Sequence, residues 1–579
     1  MPDNICRGIS LYEWTRMLNR TLRTAVLFCL QMFIFGVVKA QTISEIVANS
    51  PLIINGVIGT QNTFRYSTSG DGFGSPLNNS VYANVNIGLY GVTMPFSLYY
   101  TNGDLDFNHP HLAFSLSPSY KHWRGYIGLS SMDFSTYIMN MSFNGVGVEY
   151  KDNKYNGAFF YGCLRHAVNA SMSEVYAPSP QYKRMGWGFK AGYTEKDIYY
   201  VNVYFLRAYD NISSLNESLR SYVSPKESFV VGVNGGYHAT SWLSLSANAA
   251  TSFLTTDTRD AEAAVTGFFD NIFDTRLSSL SRFAGDLNAH FSLPFLKASL
   301  IYKYVQPEYN SLATYYMPNN YQSVGMTANT FLFKKVALSG ALSLQSDNLS
   351  DEQLYTTHGC FYNICASARL TDQLGLSAMY NGYVQRQTNG VERVNDSTCV
   401  HRRMSSYSIT PSYSFETEGL SHSVSLSVNH TDNVNLNDYI SDNYDVRTNA
   451  VGLSYSVDVP SVDMFFGASL SHQKTVGYDT EYRSDVCTLS ASRSMLEDHS
   501  LNVNASLSFC DNKIKGQSGN FSLGIDLSAS YQYKKDHMFS ANIGLNKYGN
   551  VIPVYDTSDI SGTDFTVSFN YAYIFSIVR

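Results

Sequence analysis

The chain has 579 residues, of which 15% are charged and 14% are aromatic, and its formal net charge at pH 7 is −7. The negative charge argues against nucleic acid as a partner, and a mean hydropathy of −0.16 excludes a bundle of membrane-spanning helices. Charged residues are fewer than the roughly 25% of soluble proteins, so the composition suits a sheet protein with one oily and one polar face.

The N-terminus has the pattern of a secretory signal peptide. Three arginines precede an apolar run at residues 25–38, and Val38-Lys39-Ala40 then resembles an A-x-A cleavage site. The run is shorter than the roughly 20 residues that a spanning helix needs. We therefore expect residues 1–40 to be removed and the exported chain to begin at Gln41. Residues 41–59 are expected to form a short periplasmic lead-in.

From residue 60 to residue 579 the chain reads as a series of strands. Apolar and polar residues alternate in segments of about the 9–11 residues that a tilted strand needs to cross a bilayer. In Leu501–Phe509, for example, the odd positions are apolar and the even positions are Asn or Ser. Side chains alternate across a strand, so each segment has an oily face and a polar face. The predicted lipid-facing set includes Leu243, Leu245, Leu426, Val503, Leu507, Ile543 and Val567.

The connections between these strands alternate in length. Short, turn-like connections such as 417–419 and 534–535 are separated by longer polar segments such as 209–226 and 388–404. Short turns on one side and long loops on the other are typical of outer-membrane barrels. The sequence therefore predicts an all-β protein: a large antiparallel transmembrane β-barrel of about 26 strands in the bacterial outer membrane, with short periplasmic turns and long extracellular loops. The alternative, a secreted all-β protein, would leave sheet edges to protect.

One long loop has a different pattern. Between residues 260 and 282, apolar residues recur at intervals of three and four, which predicts an amphipathic helix. We expect this helix to cap the barrel mouth or constrict the lumen; the alternative is a loop helix packed on neighbouring loops. The candidate cap residues are Val265, Phe268, Phe269, Ile272, Phe273 and Leu277.

Short motifs in the first third add a family resemblance. The segments Phe107-Asn108-His109-Pro110, Ser117-Pro118-Ser119-Tyr120 and 183–188 resemble an incompletely characterised group of outer-membrane β-barrel proteins of the Bacteroidota. The chain differs from TonB-dependent transporters, because nothing before residue 60 could be their plug domain. Asp396-Ser397-Thr398 resembles the O-glycosylation motif of those organisms, which would make Ser397 the acceptor.

The sequence offers no catalytic constellation. It lacks a nucleophile elbow, an HExxH motif, a Gly-rich phosphate loop and paired metal-ligand spacing. We therefore expect no enzyme, no catalytic residues, no cofactor and no metal. Cys487 and Cys510 lie on neighbouring predicted strands, so either a disulfide or two free thiols would fit.

Three functions remain open at this stage. The first is a porin-like conduit, because barrels of 16–18 strands already hold aqueous channels. A wider barrel would leak unless loops or a partner occluded its lumen. The second is a non-conducting structural barrel that anchors or helps export a surface protein or lipoprotein, and the third is an outer-membrane enzyme. The expected partners are outer-membrane lipid and, in the second case, a surface or periplasmic protein.

Overall fold

The computed structural model describes residues 52–68, 76–102, 112–169, 179–195, 198–263, 275–391, 396–439, 445–477, 480–496, 498–515, 519–551 and 560–578. These residues form one antiparallel sheet of 27 strand segments. Within the described residues, no helix is long and apolar enough to cross a membrane.

The strand segments follow one another along the chain. They are Leu52–Ser67 (β1), Leu77–Leu89 (β2), Val92–Thr101 (β3), Leu112–Leu116 (β4), Ser119–Tyr120 (β5), Trp123–Ser130 (β6), Phe143–Lys151 (β7), Tyr155–Arg165 (β8), Lys183–Glu195 (β9), Tyr199–Asn211 (β10), Glu227–His238 (β11), Leu243–Thr255 (β12), Ser279–Ser292 (β13), Leu296–Val305 (β14), Tyr321–Leu332 (β15), Val336–Asp347 (β16), Tyr355–Arg369 (β17), Leu374–Asn389 (β18), His401–Thr417 (β19), Leu420–Asn435 (β20), Val446–Val459 (β21), Met464–Gly477 (β22), Thr480–Met495 (β23), Leu501–Ile514 (β24), Asn520–Tyr533 (β25), His537–Val551 (β26) and Ile560–Val578 (β27). Short 3-10 turns lie at Ile212–Ser214, Glu217–Leu219, Asp396–Thr398 and Pro460–Val462.

The sheet closes on itself to form a barrel. Strand β1 pairs with β2 on one side and with β27 on the other, in a register that runs from Ile53 opposite Val578 to Ser67 opposite Asp564. Segments β4 and β5 both lie between β3 and β6 and form one interrupted strand. The barrel therefore has 26 strands, as predicted. The interruption falls at Pro118, which has no N–H to donate to a ladder.

The predicted two faces are confirmed. Ladder partners point to the same side of a sheet, and Ile543 lies opposite Val567 on a face that also carries Leu507 and Leu426. Large apolar side chains on this face are exposed around the barrel, for example Leu507 at 42% of its surface. An exposed apolar band on a closed barrel needs lipid around it. The protein is thus a transmembrane barrel of the bacterial outer membrane.

The two ends of the barrel differ as expected. Two-residue turns such as Tyr90-Gly91 and Glu418-Gly419 have positive φ at both positions, the geometry that joins twisted strands tightly. These turns lie at the end where β1 begins and β27 ends. Most connections at the other end are longer, which makes that end extracellular. The alternation is not strict, because β22 and β23 are joined there by residues 478–479 alone.

Two expectations are corrected by the strand bounds. The barrel wall begins at Leu52 rather than at residue 60, because residues 52–59 pair with β2 and 53–59 also pair with β27. The predicted signal peptide and residues 41–51 lie outside the described residues. A disulfide between Cys487 and Cys510 is excluded, since Cys510 lies opposite Val486 and therefore points to the other face of the sheet from Cys487.

Candidate functional site

The inner face of the wall carries a buried apolar patch in the extracellular half of the arc from β8 to β14. On β10, Tyr204, Leu206 and Ala208 point inward and are buried, while Val201 and Val203 point outward and are exposed. Apolar residues on both faces of one strand are expected when both faces are covered. Lipid covers the outer face, so another part of the chain must cover the inner one.

Residues 131–142, between β6 and β7, supply part of this cover and are named inner loop 1. Phe134 lies edge-on against Phe160 of β8, with ring centroids 5.6 Å apart. Ile138 is fully buried against β11. Gly232 leaves room for Ile138, because a Cβ at that position would lie 2.5 Å from Ile138 Cδ1. Inner loop 1 is therefore packed as a core is packed, with little free space on this wall.

Residues 306–320, between β14 and β15, complete the cover and are named inner loop 2. Tyr309, Leu312 and Ala313 of this loop are buried in the same apolar cluster as inner loop 1. The Tyr309 hydroxyl donates to the Tyr137 carbonyl over 2.8 Å. The backbone N–H of Asn140 donates to the Ala313 carbonyl over 3.2 Å. The two inner loops are thus joined to each other as well as to the wall.

Polar side chains on the wall form hydrogen bonds with both loops. Ser252 Oγ of β12 donates to the carbonyl of Asn310 over 2.6 Å. Ser135 of inner loop 1 donates from Oγ to Asn248 Oδ1 of β12 over 2.8 Å. Buried backbone carbonyls need such partners, so these hydrogen bonds fix where each loop lies.

A buried ion pair connects inner loop 2 to β9 and β10. Arg184 Nε and Nη2 donate to the two carboxylate oxygens of Asp210 over 2.8 and 3.0 Å. Arg184 Nη1 also donates to the carbonyl of Leu312 over 3.2 Å. Arg165 lies 3.6 Å from Asp210. Removing one partner of a buried pair leaves a charge without compensation. Asp210 therefore stabilises the attachment of inner loop 2 to β9 and β10.

The buried hydroxyls of the inner loops remain protonated. Burial raises the pKa of Tyr309, and burial together with the charge of Asp286 raises the pKa of Tyr137. Both shifts favour the neutral phenol. The Tyr309 hydroxyl therefore remains a hydrogen-bond donor to inner loop 1 over the physiological pH range.

The predicted cap helix is wrong over the parts of it that the structure describes. Glu262 bridges Arg276 as a ladder pair, and the N–H of Leu277 donates to the carbonyl of Ala261 over 3.1 Å. The two ends of this loop therefore pair with each other, which a single helix through 260–282 does not allow. Residues 279–282 belong to β13, where Leu280 lies opposite Leu254 and packs on the apolar cluster.

Of the six candidate cap residues, the structure describes Leu277 alone. Leu277 is 76% exposed in the turn before β13. The remaining members lie outside the described residues: Val265, Phe268, Phe269, Ile272 and Phe273. A cap formed by them stays a prediction.

The candidate glycosylation site lies on an ordered turn. Ser397 is half-buried in the 3-10 turn Asp396–Thr398, in an extracellular connection. Asn437 Nδ2 donates to the carbonyls of Asp396 and Cys399 over 2.9 and 2.7 Å. The turn therefore has a fixed backbone, and modification of Ser397 stays a prediction.

The sequence places 307–322 among the long polar connections, but sequence reasoning missed that both inner loops fold into the lumen. Inner loop 1 contains Phe134, Tyr137 and Ile138, whereas the long connections that were recognised are mainly polar. An apolar connection next to strands with two apolar faces is the signal that could have identified it. Among the described residues, no group of three or more His, Cys, Asp or Glu side chains could hold a metal ion.

Comparisons with known proteins do not extend this description. No protein-family model and no curated protein matches the chain. Similar solved structures include the translocation pore of the P pilus usher PapC, at 12% identity over 91% of this chain and 100% of that chain, with a TM-score of 0.34. The copper transporter OprC has 10% identity over 91% and 80% of the two chains and a TM-score of 0.40. OccAB4 of Acinetobacter baumannii has 10% identity over 69% and 100%, with a TM-score of 0.29. Such distant likenesses carry no argument about function.

Proposed function

We propose that the protein is a porin-like conduit whose wide lumen is narrowed from within by inner loops 1 and 2. The observation that carries the proposal is the buried cluster inside the wall, in which Ile138, Tyr309 and Ala313 have essentially no exposed surface. Loops packed this tightly reduce the cross-section permanently rather than transiently. A barrel of 26 strands needs such an element if it is not to leak.

The opposite arc of the wall supports passage of small polar solutes. From β20 to β25 the inward positions are mainly Ser, Thr and Asn, and the barrel-lining ladder pairs Ser425 with Ser454 and Thr488 with Ser508. Rings of charged side chains confer ion selectivity on a pore. Small hydroxyl and amide groups do not form such rings, so we propose weak charge selectivity.

A second candidate is a barrel that anchors a partner protein. Tyr315 and Tyr316 follow the buried part of inner loop 2 and are 61% and 80% exposed. Exposed tyrosines on a rigid support are frequent in protein interfaces. In this candidate the inner loops would close the lumen and present a docking surface outside. A role without catalysis is part of both candidates.

Single-channel conductance in a planar bilayer tests the first candidate. In one variant residues 133–140 are replaced by a three-residue Gly-Ser-Gly linker, and in another the same linker replaces residues 308–318. Both should conduct more than the wild-type protein. The matched control replaces residues 213–223, an outer loop whose Arg220 carbonyl accepts from Arg259 of another outer loop over 2.8 Å. Its conductance should equal that of the wild type.

The outcomes separate the candidates. Equal conductance of all four proteins would show that the inner loops do not narrow the path. No conductance in the wild type, together with conductance in the inner-loop variants and correctly assembled barrels, would favour the anchoring candidate, in which the inner loops close the lumen. Heat-modifiable migration on a gel establishes assembly in each case.

A further inference from the structure

The apolar band on the outer face ends at a line of polar residues near the extracellular end of β15 to β19. Along β17 the outward positions run from Ile364 through Cys360 to His358, and along β18 they end with Val384 followed by Arg386. On β19, Arg403 also points outward and lies directly opposite Val384. Cationic side chains at this level lie at the boundary between acyl chains and headgroups.

Arg386 and Arg403 form a pair of like charges. Arg386 lies opposite His401 and Arg403 lies opposite Val384, so the two arginines are diagonal neighbours on adjacent strands. Diagonal neighbours on one face are roughly 7–8 Å apart. Two cations at this spacing repel each other in a medium of low dielectric constant, so the pair calls for an anion.

The described part of the chain supplies no such anion. Neither guanidinium has an acidic partner or a hydrogen bond there, although both side chains are exposed. The nearest acid on this face is Asp432 of β20, which is diagonal to Arg403. Asp432 is already bound by His430 Nε2 at 2.9 Å and by Arg447 at 3.6 Å. Within the residues that the structure describes, the charges of Arg386 and Arg403 therefore have no compensating partner.

A groove on the outer face extends from Arg386 of β18 across β17, β16 and β15 to Tyr302 of β14. Arg403 lies beside the β18 end of this groove, opposite Val384. The volume of the groove is about 470 Å³, and Arg386, His358 and Gln322 line its upper part. Val324, Leu344 and Val384 line the part that lies within the apolar band. The groove thus has a cationic, hydrogen-bonding head and an apolar tail.

We propose that this groove binds one phosphate-bearing lipid of the outer leaflet. The lipid phosphate lies between Arg386 and Arg403, and one acyl chain lies along Val324, Leu344 and Val384. Guanidinium groups bind phosphate through charge-assisted hydrogen bonds. A free phosphate ion would fill only the cationic end of the groove, whereas a lipid would also cover its apolar part. The inference is independent of the proposed conduit, because it concerns the outer surface only.

Native mass spectrometry of the full-length protein in detergent tests the proposal. The protein is titrated with dioleoylphosphatidylglycerol and, in parallel, with dioleoylphosphatidylcholine. The wild type should retain phosphatidylglycerol preferentially. The double variant Arg386→Gln/Arg403→Gln should bind it about tenfold or more weakly, given the contribution of each basic residue near a lipid headgroup.

Two controls define what would overturn the proposal. Arg483→Gln removes another outward arginine of the extracellular half, one that is already paired with Glu481 at 2.5 Å, and should leave the lipid preference unchanged. Leu344→Asn should weaken binding while both arginines remain. Equal lipid binding by the double variant and the wild type would refute the site. Full displacement of the lipid by 10 mM sodium phosphate, or no effect of Leu344→Asn, would show an anion site without a lipid groove.

Discussion

The arc from β8 to β14 and the arc from β20 to β25 are made of the same kind of antiparallel strand, yet only the first has a buried apolar patch on its inner face. In the first arc the inner face carries Leu206, Val230 and Ala250, all buried. In the described residues of the second arc, no strand residue is fully buried. The outer faces of both arcs are apolar and exposed.

The difference between the arcs follows the length and composition of their extracellular connections. The first arc is joined by long connections and covered by two apolar loops, whereas β22–β23 and β24–β25 are joined by residues 478–479 and 515–519. A short connection cannot reach into the lumen, so its strands must face water and carry Ser and Asn. The inner face of each strand thus reflects what lies against it rather than its place in the barrel.

The largest expected difference between the arcs concerns inward carboxylates. Asp210→Ala leaves Arg184 buried without its partner, which should cost about 3–5 kcal/mol of unfolding free energy. Asp526→Ala removes an exposed inward carboxylate of the second arc and should change the unfolding free energy by less than about 0.5 kcal/mol. Denaturant unfolding of both variants from lipid vesicles measures the two values. Similar losses would break the comparison.

A second contrast compares the two faces within the second arc. Leu507 points to lipid and its neighbour Ser508 points to the lumen. Leu507→Arg should cost roughly 2–4 kcal/mol if the residue lies at mid-bilayer, and Ser508→Arg should be mild because water surrounds it. The amount of heat-modifiable barrel in the membrane fraction measures both. Equal effects of the two substitutions would contradict the assignment of the faces.

Inward glycines should also respond differently in the two arcs. Gly232→Ala places a Cβ against the fully buried Ile138, and such overpacking should cost about 1–3 kcal/mol. Gly452→Ala in the second arc would place its Cβ 2.7 Å from Ser427 Oγ, a hydroxyl that can rotate away, and the next nearest atoms lie at 3.8 Å. Thermal unfolding compares the variants, and limited proteolysis reports whether inner loop 1 has left the wall. An unaffected Gly232 variant would mean that inner loop 1 is not tightly packed.

The smallest expected effect lies within inner loop 2. Tyr309→Phe removes the hydrogen bond to the Tyr137 carbonyl at nearly constant volume and should cost about 1 kcal/mol. Tyr316→Phe, on an exposed side chain of the same loop, should have no measurable effect. Hydrogen exchange of the Ile138 amide, which donates to the Ser135 carbonyl, should accelerate only in the first variant. Acceleration in both or in neither would disprove this contact.

The strands and turns were largely predictable from the sequence because their signals are local. Alternation in Leu501–Phe509 identified the face of each residue in that segment, and 417–419 identified a short turn, which the structure narrows to Glu418-Gly419. Each signal comes from residues that are neighbours along the chain. The strand count followed from repeating this local reasoning.

The inner loops were not predictable in the same way, because their contacts join distant parts of the chain. Ser135 bonds Asn248, 113 residues away, and Tyr309 bonds Tyr137, 172 residues away. The predicted helix at 260–282 failed for a related reason. Leu280 fits a helical spacing, but its pairing with Leu254 across β12 and β13 overrides local periodicity.

The closure of the barrel by β1 and β27 has a consequence for how the protein is made. The bond from the N–H of Thr563 to Thr68 Oγ1 joins residues 495 positions apart. Contacts between such distant residues form slowly, because the chain entropy between them is lost first. Until the last strand has been synthesised and exported, β1 has an open edge that is prone to pair with other chains. We therefore expect this edge to need shielding during assembly, and a chain truncated before β27 should be degraded or aggregate rather than insert.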